Sequence, residues 1–255
     1  MLLELANVSK TFAGLSALAE VSFGLAQGTT TGIIGPNGAG KTTLFNAVTG
    51  VFPPNAGRIV FEGRDITTLA PEKRAVLGIS RTFQHPRLFK SLTIEENVML
   101  GRHGRSRAEF LASGLRLPWA RREERDLRAR ALDTLELVGL ADQRQRLATE
   151  LPLGQQRYLE VARALASEPR LLLLDEPTAG LNEGETEAFR ALALRIRDRG
   201  VTLLVIEHHM RFIMNLCDEI VVLNFGRLIE SGPPDRVQRS EAVIEAYLGR
   251  DDDDA

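Results

Sequence analysis

Apolar and polar positions along the 255-residue chain follow two regimes. Short apolar runs at 2–8, 17–25, 30–34, 58–61 and 78–83 predict strands, and the run at 30–34 is β-branched and ends in a glycine-rich turn. Residues 41–49 then read as a helix closed by Gly50. From about residue 86 to 160 the pattern turns helical. Within it, 121–138 places Leu127, Ala131, Leu132, Leu135 and Val138 on one face. A second helix at 154–167 carries Tyr158, Val161, Ala162, Leu165 and Ala166 at helical spacing, and Pro169 stops it. Buried-type strands return at 171–174, 201–206 and 220–223, alternating with a helix at 185–199 and a segment at 210–216. Short apolar strands between helices imply a mostly parallel α/β sheet, here interrupted by a helical insert.

Composition changes this picture little. At 44% hydrophobic and 26% charged residues, the chain is ordinary for a globular protein with a substantial core. The net charge is −2, but Asp251 to Asp254 carry the acidity, and without them the balance is +2. Neither value signals a dedicated nucleic-acid binder. The lone Cys217 cannot form an internal disulfide and fits a reducing compartment. The N-terminus lacks the basic and apolar regions of a secretory signal. The longest uncharged stretch, 21–40, has the length of a membrane span but contains six glycines and Pro36, so no span is expected.

The chemistry begins at residues 35–42, Gly-Pro-Asn-Gly-Ala-Gly-Lys-Thr, which fit G-x-x-x-x-G-K-[ST] at every fixed position. The glycines let backbone N–H groups approach phosphate, and the helix N-terminus that follows favours negative charge. Lys41 suits the β- and γ-phosphates, and Thr42 suits Mg²⁺. A second element, Leu171 to Leu174 followed by Asp175 and Glu176, sets two carboxylates at the end of a buried strand, where open α/β sheets bind ligands. Asp175 suits the metal, and Glu176 suits deprotonation of an attacking water.

With these motifs in order, the chain resembles the ATP-binding subunits of ABC transporters over nearly its whole length. The resemblance implies a P-loop NTPase (RecA-like) α/β core with a mixed, mostly parallel sheet, an antiparallel β part and an inserted α-helical subdomain. The expected division is 1–86 and 161–250 for the core, 87–160 for the helical subdomain, and 251–255 for a disordered acidic tail. By resemblance, Phe12 stacks on adenine, although a core Phe reads equally well from the sequence. Gln84 corresponds to the glutamine that contacts Mg²⁺ or water, and His208 to the histidine at the γ-phosphate. Gly35, Pro36, Asn37, Gly38, Ala39, Gly40, Lys41, Thr42 and Thr43 would hold ATP. Catalysis would fall to Glu176, His208 and Gln84, with Thr42, Gln84 and Asp175 at Mg²⁺.

Residues 151–157, Leu-Pro-Leu-Gly-Gln-Gln-Arg, stand at the family's signature motif, where Gly154 and Gln155 would face ATP held by a second subunit. Pro152 and Leu153 replace the usual Ser and Gly, so the serine contact is absent. Residues 179–182 match the D-loop, with Asn182 for the more usual Asp. The signature variant, the stretch 81–89 and the C-terminal 243–249 look like the LivG-type subunits of branched-chain amino acid importers.

The resemblance implies a peripheral ATPase at the cytoplasmic face of the membrane. Its partners would be a second ABC ATPase subunit arranged head to tail, with a paralogue favoured, transmembrane permease subunits and, indirectly, a periplasmic solute-binding protein. The alternatives are import of another solute, such as urea or an amide, an export role, and a soluble non-transport ABC ATPase. A GTPase or kinase would have no use for the signature motif, and no N-K-x-D motif is present. The nine arginines between 102 and 130 interleave with Glu109, Glu123, Glu124 and Asp126, which fits a solvated helical face better than a nucleic-acid groove.

Overall fold

A computed structural model of the chain describes residues 1–82, 88–102 and 118–248, so Gln84 and the acidic 251–255 segment lie outside the described residues. Six strands form the main sheet: β3 (Thr30–Ile34), β6 (Ile79–Arg81), β7 (Leu171–Asp175), β8 (Thr202–Ile206), β9 (Glu219–Asn224) and β10 (Arg227–Gly232). Their order is β10-β9-β3-β8-β7-β6, parallel throughout except for β10 at the edge. Every residue of β3, β7 and β8 is buried. A strand covered on both faces needs apolar side chains at every position, which is why Leu171 to Leu174 reads as an unbroken run. Leu171 and Leu173 enter one apolar cluster, and Leu172 and Leu174 enter the other.

A second, antiparallel sheet is built from β1 (Leu3–Phe12), β2 (Leu15–Leu25), β4 (Ala56–Phe61) and β5 (Arg64–Asp65), in the order β2-β1-β4-β5. Helix α1 (Lys41–Thr49) shares one core with both sheets: Leu44, Phe45 and Val48 cluster with Leu3, Ile59 and Phe61 and with Ile33, Leu173 and Leu204. After α2 (Pro71–Leu77) come the helices of the insert, α3 (Ile94–Leu100), α4 (Pro118–Val138) and α5 (Leu153–Leu165), which pack pairwise. The chain ends with α6 (Glu183–Asp198), α7 (Met210–Leu216), α8 (Pro234–Gln238) and α9 (Glu241–Leu248).

This is the α/β core with a helical insert that the residue pattern predicts, together with the antiparallel β part that the family resemblance implies. The α4 stripe falls as read, with Ala131, Leu135 and Val138 buried. The expected boundary after residue 160 falls inside α5, which runs to Leu165. The physical reason is a shared core: Ala131 and Leu135 of α4, Leu159 and Val161 of α5 and Leu172 of the sheet belong to one cluster. Arg102 and Arg130, from the arginine-rich stretch, both reach Glu168 Oε1, at 2.7 and 2.6 Å. Among the described residues no helix is long and apolar enough to cross a membrane.

The C-terminal end of α1 is held by a buried arginine. Arg74 of α2 donates through Nη1 to the carbonyls of Ala47 (2.6 Å) and Val48 (2.8 Å), through Nε to Leu69 (2.8 Å), and through Nη2 to Thr67 (3.0 Å). A cation at the negative end of the helix dipole is favourable, and burial lowers its pKa to about 10, so the group stays charged at neutral pH. Arg74→Met is expected to leave these carbonyls without that donor and to cost about 3 kcal/mol. That corresponds to a fall of about 6–12 °C in Tm by circular dichroism for a chain of this size. An unchanged Tm would show that the cap does not matter.

Candidate active site

The parallel register brings the chemical residues to one edge. Ile33 of β3 pairs with Ile206 of β8, and Ile206 in turn pairs with Asp175 of β7, so all three strands end level. Past those ends lie the loop 35–40, the pair Glu207–His208, and Glu176. The crevice at the carboxyl ends of such strands is the general ligand position of open α/β sheets.

The loop is shaped by close backbone approach. A side chain at Gly35 (φ 148°) would place its Cβ 2.0 Å from the Leu223 carbonyl oxygen, and one at Gly40 (φ 101°) 2.5 Å from that of Ala17. The loop is moored from outside, since the Gly226 N–H donates to the Ala39 carbonyl at 3.0 Å. Helix α1 starts at Lys41 with no side-chain cap and no acidic residue in its first turn. Its first N–H groups and its dipole therefore suit an anion, which fits the phosphate chain of a nucleotide. Lys41 is 7% exposed, and its Nζ donates to the carbonyls of Gly35 (2.6 Å) and Pro36 (2.9 Å), folding the ammonium over the cradle. Thr42 is exposed beside it.

The carboxylates differ in environment. Asp175 is buried, and its Oδ2 pairs with Arg81 Nη2 at 2.7 Å. Arg81 also donates to Asn46 Oδ1 of α1 at 2.6 Å and lies over the Phe45 ring. One guanidinium thus ties the phosphate-loop helix to the acidic strand end. Among the described residues no three His, Cys, Asp or Glu side chains converge on a metal. The donor set of Thr42 and Asp175 instead suits a cation that arrives with phosphates, the usual state of Mg²⁺.

Glu176 adopts φ 47°, a left-handed conformation that costs a non-glycine residue about 1–3 kcal/mol. Its N–H donates to the Ile206 carbonyl at 2.9 Å. Its Oε1 lies 2.9 Å from His208 Nε2. With Nε2 protonated, the imidazole donates to the carboxylate and orients it.

Three supporting side chains were not assigned roles by the sequence. Buried Glu207 accepts from the Thr178 N–H (2.8 Å) and hydroxyl through Oε1, and from the His208 N–H (2.8 Å) through Oε2. It thereby clamps the histidine loop to the turn after β7. Arg157 of α5 donates to the carbonyls of Glu176 (3.2 Å) and Ala179 (2.6 Å). Tyr247 of α9 is 38% exposed, and partial desolvation raises its pKa, with a backbone hydrogen bond from Gly35 lowering it.

The remaining expected residues lie around this centre. Phe12 is not a core residue: it is 43% exposed at the end of β1, edge-on to Phe52 at 5.2 Å, with Lys10 Nζ 5.2 Å from its ring. Gly154 and Gln155 open α5, whose N-terminus has no side-chain cap and no acidic residue. Gly154 packs toward Leu181 and Glu185, and Gln155 accepts from Gln143. Asn182 is the N-cap of α6, with a reciprocal Glu185 bond, a role that either Asn or Asp fills. Cys217 is buried, and its thiol pKa is raised by that burial, which leaves it inert.

Comparison with known proteins identifies the family. The family model described as ABC transporter matches residues 18–179, and that described as branched-chain amino acid ATP-binding cassette transporter matches 227–253. The high-affinity branched-chain amino acid transport ATP-binding protein BraF of Pseudomonas aeruginosa is 42% identical over 249 residues, covering 97% of this chain and 98% of the relative. The corresponding LivG protein of Escherichia coli is 38% identical with the same coverage. A crystal structure of an ATP-binding cassette of an ABC transporter in its ADP conformation superposes with a TM-score of 0.85 at 34% identity, covering 97% of this chain and 98% of that one.

Proposed function

The chain belongs to the ABC transporter family of ATP-binding cassettes, and from that premise we propose that it hydrolyses ATP to drive import of branched-chain amino acids. The observation that carries the reading is the level ending of β3, β7 and β8, which sets a helix N-terminus with its lysine beside a Glu176–His208 pair. In this reading Gly35 to Thr43 cradle the phosphates, and Phe12 offers its exposed ring to the adenine. Thr42 and Asp175 hold Mg²⁺ together with Gln84, and the ion would supply charge neutralisation at the phosphates. Glu176 takes the proton of the attacking water, and His208 holds the carboxylate in place.

The uncapped N-terminus of α5, carrying Gly154 and Gln155, is a second phosphate-binding terminus that one P-loop does not need. That supports a head-to-tail pair with a second ATPase subunit, each site completed by the other chain. The 42% identical relative is itself a transport ATP-binding protein, which supports permease partners, a solute-binding protein acting indirectly, and a peripheral position on the cytoplasmic face of the membrane. No nucleic-acid partner is proposed.

The test is uptake of labelled leucine, isoleucine and valine in a strain lacking the gene. Uptake is expected to fall and to return with the wild-type chain but not with a Glu176→Gln copy. Unchanged uptake of all three would overturn the import reading. A chelator of Mg²⁺ is expected to abolish ATP turnover by the purified chain, and full turnover in excess EDTA would remove Mg²⁺ from the site.

A further inference from the structure

The geometry points to Arg157 as a positioning residue for Glu176, making the catalytic carboxylate answer to the position of the helix that begins at Leu153. The inference rests on Glu176 as the general base. Arg157 stands one turn into α5 and is 7% exposed. Its guanidinium is a planar, donor-only fork. Two Nη groups of that fork reach the Glu176 and Ala179 carbonyls, at 3.2 and 2.6 Å, so both ends of the turn after β7 hang from one side chain.

The consequence for Glu176 follows from its backbone. Its N–H is held by the Ile206 carbonyl, and its own carbonyl by Arg157. Both peptide groups flanking its Cα are therefore pinned, one by the sheet and one by α5. The φ of 47° is a sparsely populated conformation that persists where the surroundings over-determine it. The carboxylate direction, and with it the 2.9 Å approach to His208, depends on that Cα. A shift of α5 relative to the sheet would be passed through the fork to the Glu176 peptide. Because α5 also opens with the turn that would meet the second subunit, docking there and the set of the general base share one rigid element.

Steady-state ATPase kinetics of the full chain test this with a double-mutant cycle. Arg157→Met is expected to lower kcat by about 10–100-fold, the scale of a 1 Å misplacement, with the KM for ATP within about twofold. Arg157→Lys, able to reach one carbonyl but not to span both, is expected to fall between Met and wild type. In a Glu176→Gln background, read by single-turnover hydrolysis over hours, neither change should lower the rate further, because the group being positioned is gone. An equal fold-loss in both backgrounds, or a wild-type kcat in Arg157→Met, overturns the inference. If the Met variant does not fold, Arg157→Lys takes its place in the cycle, and the same two results overturn the inference. Near wild-type turnover by Glu176→Gln alone would instead sink the general-base reading and leave Arg157 as a purely structural tie.

Discussion

Glu176→Gln is expected to reduce ATP turnover by about 10²–10⁴-fold, the usual contribution of a positioned general base. The amide keeps the volume of the side chain and can still meet the His208 imidazole, but it cannot accept the proton of water. ATP binding should stay within about twofold of wild type, because the proposed function draws the phosphate contacts from the loop and from α1. Stability should hardly change, since the His208–Glu176 pair sits where His208 is 46% exposed, and such pairs contribute about 0–1 kcal/mol. With binding intact and hydrolysis blocked, the ATP-bound head-to-tail pair should accumulate, in the purified protein with a second copy of the chain in the place of the paralogue, visible as a nucleotide-dependent shift to twice the mass by light scattering. Turnover within tenfold of wild type would remove Glu176 from the reaction.

Lys41→Ala should fail earlier, at binding. In the structure the ammonium lies over the cradle, on the Gly35 and Pro36 carbonyls. A phosphate chain offers it charged acceptors instead, and hydrogen bonds to charged groups contribute about 1.5–3 kcal/mol. Loss of that contact predicts ATP affinity about 10–100-fold weaker. Residual turnover at saturating ATP should fall by about 10²–10³-fold, because in the proposed function the lysine would also face the charge that develops on the transferring phosphate. Lys41→Met, which keeps most of the stem, separates the charge from the packing and should lose as much. A fluorescent-nucleotide titration reads the first effect and phosphate release the second. Wild-type affinity in both variants would mean that the loop holds nucleotide without its lysine.

The readable elements and the unread ones divide on physical grounds. Strand β3 and helix α1 fall where the pattern predicts, at Thr30–Ile34 and Lys41–Thr49, because a fully buried β-branched run and a helix ended by Gly50 are local signals. Strand β10 carries Arg227, Glu230 and Ser231 on an edge, so it has no apolar run to betray it. The seven-residue α2 is too short for a periodic stripe. In α5 the stripe of Tyr158, Val161 and Ala162 is legible, but the helix also buries Arg157 and Glu160, which no apolar pattern indicates.

The site shows the same division. As candidates, the phosphate loop, its lysine and threonine and the Asp175–Glu176 pair follow from the sequence, since each depends on a few consecutive residues at a strand end, and His208 follows from the family resemblance. The family resemblance follows for the same reason. What holds those residues does not. Arg81 and Asp175 are 94 residues apart, Thr178 and Glu207 are 29 apart, Arg74 and Ala47 are 27 apart, and Arg157 and Glu176 are 19 apart. Among 28 arginines nothing in composition or spacing singles out Arg74, Arg81 and Arg157 for these partners. A charged group taken out of water must find partners to offset its desolvation, and those partners are mostly backbone carbonyls, which every residue possesses. The sequence therefore named the groups proposed for the chemistry. The tertiary structure alone decided which side chains hold them there, because a carbonyl becomes a specific partner only once the chain has folded around it.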